Sequence, residues 1–129
     1  MNLTAASPSL AGPVFINDGV VNISAANSLG TGTVTFTAGT LNNATAAALT
    51  VANRVAFTNS VATLGSSATS SSLILSGAVA LGGALNTLEV NGAYTTTSGG
   101  NSGGMTLSGI VSGSTQLDVN GRGLLTENN

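Results

Sequence analysis

The stretch "GTGTVTFTAGT", residues 30–40, alternates small polar residues with apolar ones and closes on a glycine and a threonine. Val34 and Phe36 fall on one side of an extended chain, and the threonines beside them fall on the other. A period of two is typical of a half-buried β-strand. Similar phrases recur along the chain as "LTVANRVAFTNS" from Leu49, "SLILSGAVALGG" from Ser72 and "MTLSGIVSG" from Met105.

The recurring phrases are spaced raggedly. The second apolar residue of each alternating pair falls at Phe36, Phe57, Leu75, Val90 and Val119, with Leu107 between the last two. These intervals predict a repeat of a length in the upper teens. A repeat of about that length is typical of a solenoid, in which each unit contacts only its neighbours. We therefore expect about six short coils.

Two all-β architectures fit such strands, an antiparallel sandwich with turns about every 8–12 residues and a parallel β-solenoid. Strand doublets joined by one small residue, such as "LILS-G-AVAL" and "LEVN-G-AYTTT", favour corners within a coil. The inward residues are small, which suits rungs ~4.8 Å apart. We predict a solenoid over residues 14–127 after an irregular lead-in over residues 1–13. The sandwich is the alternative architecture, as are antiparallel hairpins, for which Asn17–Gly19 is a suitable turn.

The run Ala44–Ala48 is the one alanine-rich stretch, and it could support a single helical turn. Thr45 lies inside the run, and β-branched residues follow at Thr50 and Val51. Because β-branched residues favour strands over helices, we expect this run to form a corner between strands, with a short helix as the alternative.

Composition limits the classes of partner. Charged residues make up 5% of the 129 residues, against roughly 25% in an ordinary soluble domain. Arg54 and Arg122 are the only cationic side chains, and the formal net charge is −2. Nucleic-acid binding requires clustered Lys and Arg over phosphates, so we expect no nucleic-acid partner.

The residues and segments that the sequence lacks indicate the cellular location of the protein. There is no cysteine, which excludes disulfides and thiolate chemistry. The opening "MNLTAASPSLAGPV" lacks the pattern of a signal peptide, and no stretch approaches the ~20 apolar residues of a membrane helix. A surface of Ser, Thr and Asn suits an exported bacterial protein. We expect a segment of a longer exported protein, with a mature form that carries an added initiator methionine as the alternative. In either case we expect it to be extracellular or at the outer cell surface and not to insert into the membrane.

Catalytic and metal-binding patterns are incomplete. "GNSGG", residues 100–104, fits the nucleophile-elbow pattern around Ser102, but the chain has no histidine or lysine to act as its base. Zinc and copper sites need His or Cys, and both are absent. The four carboxylates are scattered singly along the sequence and do not form a calcium-binding loop; they are Asp18, Glu89, Asp118 and Glu127. Even "DVNGRG", residues 118–123, lacks the further carboxylates that such a loop needs.

Three further patterns point to other ligands. Glu89 and Asp118 could meet on a solenoid face as a glycosidase pair, although the chain has few aromatic residues for sugars. Thr33, Thr35 and Thr37 form a row of the kind that binds ice, echoed by residues 95–97, but other coils do not repeat it. Tyr94 is the single candidate for an adhesive aromatic contact. We predict no catalytic residue, no cofactor and no metal site.

The phrases resemble a known family, the autotransporter-associated β-strand repeats of large bacterial surface proteins. "SLGTGT" at residues 28–33, "AGTL" at residues 38–41 and "LSGIVSG" at residues 107–113 match that family's pattern. The resemblance covers most of residues 14–127, with departures at Asp118–Asn120 and Arg122. It implies a right-handed parallel β-helix that is exported and displayed at the cell surface.

Together these patterns predict a non-enzymatic structural or display segment of a bacterial surface protein. The alternative is an interaction module, either a self-assembling filament subunit or an adhesin, that stacks through the exposed ends of the solenoid. Its partners would be adjoining repeats of the same polypeptide or further copies of the chain, end to end.

Overall fold

The computed structural model describes residues 1–66, 71–95 and 100–128, and of residues 93–95 and 100–102 it describes the backbone only. These residues contain fifteen β-strands and no helix. In chain order the strands are β1 Asn2–Leu3, β2 Val14–Ile16, β3 Val20–Ile23, β4 Val34–Asn43, β5 Leu49–Val51, β6 Val55–Ser66, β7 Ser72–Leu75, β8 Val79–Gly82, β9 Leu85–Asn91, β10 Ala93–Thr95, β11 Gly100–Ser102, β12 Gly104–Leu107, β13 Val111–Ser112, β14 Gln116–Gly121 and β15 Leu124–Glu127.

The chain is a parallel β-solenoid of about five turns. The stacked strands lie on three faces, the third of which has strands from the second turn onward, and on each face a strand pairs in parallel with its equivalent in the next turn. Face 1 stacks β2, the start of β4, the start of β6, β8 and β13. Face 2 stacks β1, β3, the rest of β4 and of β6, β9 and β14. Face 3 stacks β5, β7, β12 and β15.

Aligned columns of inward side chains form the core. On face 1, five valines lie one above the other, and the middle three are at most 1% exposed: Val14, Val34, Val55, Val79 and Val111. The next inward column holds Phe36 and Phe57, whose rings stack with centroids 5.3 Å apart. Identical or similar residues fill successive rungs because each rung repeats the same narrow cross-section.

The length of the turns differs from the expected repeat. Val14, Val34, Val55, Val79 and Val111 are equivalent residues in successive turns, so the turns grow from 20 residues to 32. The repeat length expected in the upper teens is wrong, because the residues from which it was counted lie on different faces of the solenoid. Phe36 and Phe57 do stack, but Leu75 and Leu107 lie on face 3, and Val90 and Val119 lie on face 2. About five turns replace the expected six.

The longest turn contains an antiparallel hairpin. β10 pairs with β11 in opposite directions, so that Ala93 lies opposite Ser102. The doublet "LEVN-G-AYTTT" is therefore not a corner within a coil as expected, because its second half enters this hairpin. The corner expected in "LILS-G-AVAL" is confirmed, because β7 and β8 flank Gly77 and pair with strands on different faces. Residues 44–48 form the expected corner between β4 and β5 without a helix.

The corner that precedes each valine is a column of small residues. Gly12, Gly32, Asn53, Gly77 and Gly109 each stand two residues before a stacked valine. A Cβ atom on Gly77 would lie 2.1 Å from the carbonyl oxygen of Asn53, and one on Gly109 would lie 2.0 Å from that of Gly77. At Gly77 and Gly109 the backbone of one turn thus rests directly on the backbone of the previous turn, which leaves no room for a side chain at these two positions.

The solenoid begins within the stretch expected to be an irregular lead-in. Asn2–Leu3 forms β1 and pairs in parallel with β3. Further along, the amide of Ser7 donates to the carbonyl of Asn27, and the amide of Thr31 donates to that of Leu10. Residues 1–13 are therefore stacked on the turn that contains β3 and belong to the solenoid.

Candidate functional site

Three buried asparagines fasten the corners of the solenoid. Asn53 is 4% exposed, and its Nδ2 donates to the carbonyl oxygens of Gly30 at 3.1 Å and Gly32 at 2.7 Å. Asn43 and Asn86 play the same part elsewhere, each at most 1% exposed. Because an amide group both donates and accepts, each satisfies backbone groups that the corner turns away from the strand ladder.

The acceptor side of these amides is used as well. Oδ1 of Asn43 accepts from the backbone and hydroxyl of Thr45 at 2.9 and 2.8 Å, while Nδ2 donates to Ser72 O at 2.9 Å. Oδ1 of Asn86 accepts from the backbone and hydroxyl of Ser60, both at 3.1 Å. Among the described residues, no buried side-chain polar atom lacks a hydrogen-bond partner. These asparagines are structural.

The outward side of face 2 begins with an asparagine ladder. Nδ2 of Asn22 donates to Oδ1 of Asn2 at 2.8 Å, and Nδ2 of Asn42 donates to Oδ1 of Asn22 at 3.0 Å. The ladder connects three turns through side chains alone. Sequence reasoning missed it, although the equal spacing of 20 residues between these asparagines was a signal of the turn length at the start of the solenoid.

The same outward side brings Glu89 and Asp118 together. Asp118 pairs with Thr87, two residues before Glu89 on the neighbouring rung, so the two carboxylates lie at diagonal positions on the outward side of one face. Glu89 accepts a 3.4 Å hydrogen bond from the hydroxyl of Thr63, and Asp118 accepts one of 2.7 Å from the amide of Gln116. The neighbours of each carboxylate are thus uncharged hydroxyl and amide groups.

The other sequence candidates do not come together into a site. Ser102 lies in β11 and Tyr94 in β10, but their side chains are outside the described part of the chain, as are residues 96 and 97 of the second threonine row. Thr35 has Phe15 and Ala56 as neighbours on adjacent rungs, so the row of residues 33–37 does not continue up the stack.

Across the three described ranges, no group of three or more His, Cys, Asp or Glu residues is placed to hold a metal ion. A shallow depression of about 140 Å³ lies at one corner, lined by Asn27, Gly30, Thr31, Ala52 and Asn53. It is built from backbone and small side chains and contains no titratable group. No helix in the described residues is long and apolar enough to span a membrane.

Exposed large apolar side chains occur in the first and last turns and also in the middle of the stack, at Val61 and Leu85. Val119 points inward on the last rung of face 2 and is nevertheless 45% exposed, because within the described residues no further rung covers it. Leu124 at the start of β15 is 60% exposed. In the first turn, Phe15 is 62% exposed and Val20 is 50% exposed. Phe15, Val20 and Val61 all point outward from the sides of the stack, and Val61 in the middle of the stack is also 62% exposed.

Comparison with known proteins assigns no relative. No family model matches the sequence, and neither a curated protein nor a solved structure matches it. The function must therefore be inferred from the geometry of the chain itself.

Proposed function

We propose that the chain is a structural segment, a stiff β-solenoid that holds another region of a bacterial surface or secreted protein away from the cell. The observation that carries this proposal is the continuous stack of face 2, which runs in parallel register from β1 to β14. Each rung is bonded only to its neighbours, so stability accumulates along one dimension. With rungs ~4.8 Å apart, about five turns form a rod about 24 Å long.

The setting of this role is supported by composition and by resemblance. The surface is rich in Ser, Thr and Asn and carries few charges, and the phrases resemble the autotransporter-associated β-strand repeats. One of those phrases, "LSGIVSG", corresponds to the end of β12, the corner at Gly109 and β13. In this role the chain is displayed outside the cell, performs no catalysis and needs no cofactor.

Stiffness is tested by a distance distribution between two introduced labels. Phe15 and Ser112 lie in one outward column of face 1, four rungs apart through Thr35, Ala56 and Ala80. That separation is about 19 Å. Spin labels on Phe15→Cys and Ser112→Cys, diluted with unlabelled chain, should give one narrow distance distribution, and the same pair in urea should give a broad one. A broad distribution without urea would rule out a stiff spacer.

The display role is tested in a bacterial cell. The chain is placed between an outer-membrane anchor and an epitope tag and compared with a 129-residue Gly/Ser linker, which behaves as a flexible coil. The solenoid should keep the epitope accessible to antibody and resist added protease, whereas the linker should be cleaved. Equal accessibility and equal cleavage of the two would contradict the proposal.

A further inference from the structure

The depression at the corner after β5 exists because face 3 has no strand in the preceding turn. β5 is the first strand of face 3 and pairs with β7 on one side, whereas residues 24–33 of the preceding turn contain no strand. The corner residues Ala52 and Asn53 therefore lie against an irregular segment and not against a strand. Asn27, Gly30 and Thr31 of that segment complete the lining of the depression, which measures about 140 Å³.

Asn53 differs from the other members of its corner column, which are all glycines: Gly12, Gly32, Gly77 and Gly109. Nδ2 of Asn53 donates to the carbonyl oxygens of Gly30 and Gly32 in the irregular segment. Only the NH₂ end of an amide can donate to two carbonyl oxygens, so these contacts fix the orientation of the side chain. Both hydrogens of Nδ2 are thereby used.

Oδ1 of Asn53 has no hydrogen-bond donor, unlike Oδ1 of Asn43 and Asn86. Those two accept from Thr45 and Ser60, whereas no donor in the described residues bonds to Oδ1 of Asn53. Asn53 is only 4% exposed, and in the described part of the chain no fully buried side-chain polar atom lacks a partner. Oδ1 therefore belongs to the small exposed part of Asn53, and the surface that Asn53 lines is the depression.

The groups around Oδ1 select the chemistry of a ligand. The backbone N–H groups of Gly30 and Thr31 are already used, since they donate to the carbonyls of Asn27 at 3.0 Å and Leu10 at 2.8 Å. No titratable group lines the depression, so nothing there compensates a charged ligand for the water that it loses. An amide oxygen with two free lone pairs accepts hydrogen bonds and cannot donate them. A fitting ligand is therefore neutral and donates hydrogen bonds.

We propose that Asn53 and Thr31 form a binding site for the hydroxyl groups of a neutral sugar. Two neighbouring hydroxyls of a sugar ring can donate to the one amide oxygen, and the Thr31 hydroxyl can donate to or accept from a third. A neutral amide also donates, but its carbonyl would add an acceptor to a site whose backbone donors are used. This inference depends on the corner after β5 and not on the spacer role proposed above.

The size of the depression limits what it can hold. Pockets that enclose drug-sized ligands measure about 300–1,000 Å³, so a depression of about 140 Å³ takes a single sugar ring or the edge of one. No aromatic ring lines it, and few contacts are available. We therefore expect dissociation constants in the millimolar range for one free sugar.

Binding is tested by an NMR titration of the isotope-labelled 129-residue chain. Methyl α-D-glucopyranoside, or its manno or galacto epimer, should shift the side-chain amide signals of Asn53 and the backbone signals of Gly30 and Thr31 in a saturable way. The fully O-methylated glucoside, which has no O–H donor, should shift none of them. The absence of saturable shifts with all three sugars, or equal shifts with the O-methylated compound, would overturn the proposal.

The position of the site is tested by Ala52→Phe. Ala52 is exposed and lines the depression, so the new ring can fill it without removing either hydrogen bond of Asn53, and the saturable shifts should disappear. Ser108→Phe is the matched control, because Ser108 is also exposed and stands three residues before a stacked valine, two turns later. It should bind as the unaltered chain does. Equal effects of the two substitutions would contradict a site at this corner.

Two further measurements test the class of ligand. Thr31→Val keeps the shape of the side chain, removes its hydroxyl and should weaken sugar binding; unchanged binding would contradict the pairing of Thr31 with Asn53. N-Methylacetamide, as a probe for neutral amides, should bind more weakly than the sugar, and tighter binding would assign the site to a peptide group instead. The spin-label experiment uses residues outside this corner, so loss of sugar binding and loss of stiffness are separately observable.

Discussion

A methyl group at Gly77 tests the close contact between successive turns. In Gly77→Ala the new Cβ would lie 2.1 Å from the carbonyl oxygen and 2.5 Å from the carbonyl carbon of Asn53. Both are backbone atoms, so the contact cannot be relieved by a side-chain rotation. Separation to about 3 Å requires one turn to move by about 1 Å relative to the other.

The cost of that movement follows from the hydrogen bonds beside the corner. Ser76 donates to Val51 and Val55 donates to Ala78, both at 2.9 Å, and a 1 Å displacement takes such bonds beyond the ~3.2 Å limit. Each weakened buried bond costs about 1–3 kcal/mol. We expect Gly77→Ala to lower the free energy of unfolding by about 2–4 kcal/mol, and the melting temperature by about 10 °C.

The chain supplies a matched control for this substitution. Gly12 stands in the same corner column, but a Cβ there would meet nothing within 4 Å, because no earlier turn lies against it. Gly12→Ala should leave stability unchanged or raise it slightly, since alanine lowers the entropy of the unfolded chain. Urea unfolding followed by circular dichroism measures both variants. Equal destabilisation of the two would refute the view that stacking against the previous turn excludes a side chain.

Four further substitutions test the remaining contacts by the same unfolding measurement. Phe57→Ala removes one ring of the stacked pair with Phe36 and should cost about 3–5 kcal/mol; a loss below about 1 kcal/mol would mean the pair is not in the core. Asn53→Ala leaves two carbonyls without their donor and should lower the free energy of unfolding by about 1–3 kcal/mol. Replacement by any residue that has no side-chain amide should not restore this stability. Asn22→Ala breaks two ladder bonds where Asn2→Ala breaks one, so the first should be the more destabilising, by under about 1 kcal/mol; the reverse order would contradict the ladder.

The surface features show how far sequence reasoning reached. Proximity of Glu89 and Asp118 was predictable in kind, because outward residues of a strand share a face with those of its neighbour. The rungs on which Glu89 and Asp118 lie were not predictable, because the turn between them contains the β10–β11 hairpin. The corner amides of Asn43, Asn53 and Asn86 were missed because asparagine is common in exposed turns, and only the packed corner shows that these three are buried.

The sequence by itself determined that the chain is all-β, that its strands alternate inward and outward residues and that a single glycine turns the corner at Gly77. Alternation of apolar and polar residues is a property of adjacent positions, so it is visible without knowing what a strand pairs with. Only the tertiary structure decided which phrase stacks on which. Partners in the ladder lie 20 to 32 residues apart, and the apolar runs of the three faces resemble one another, so register is fixed by backbone hydrogen bonds between turns and by the fit of each side chain in its column.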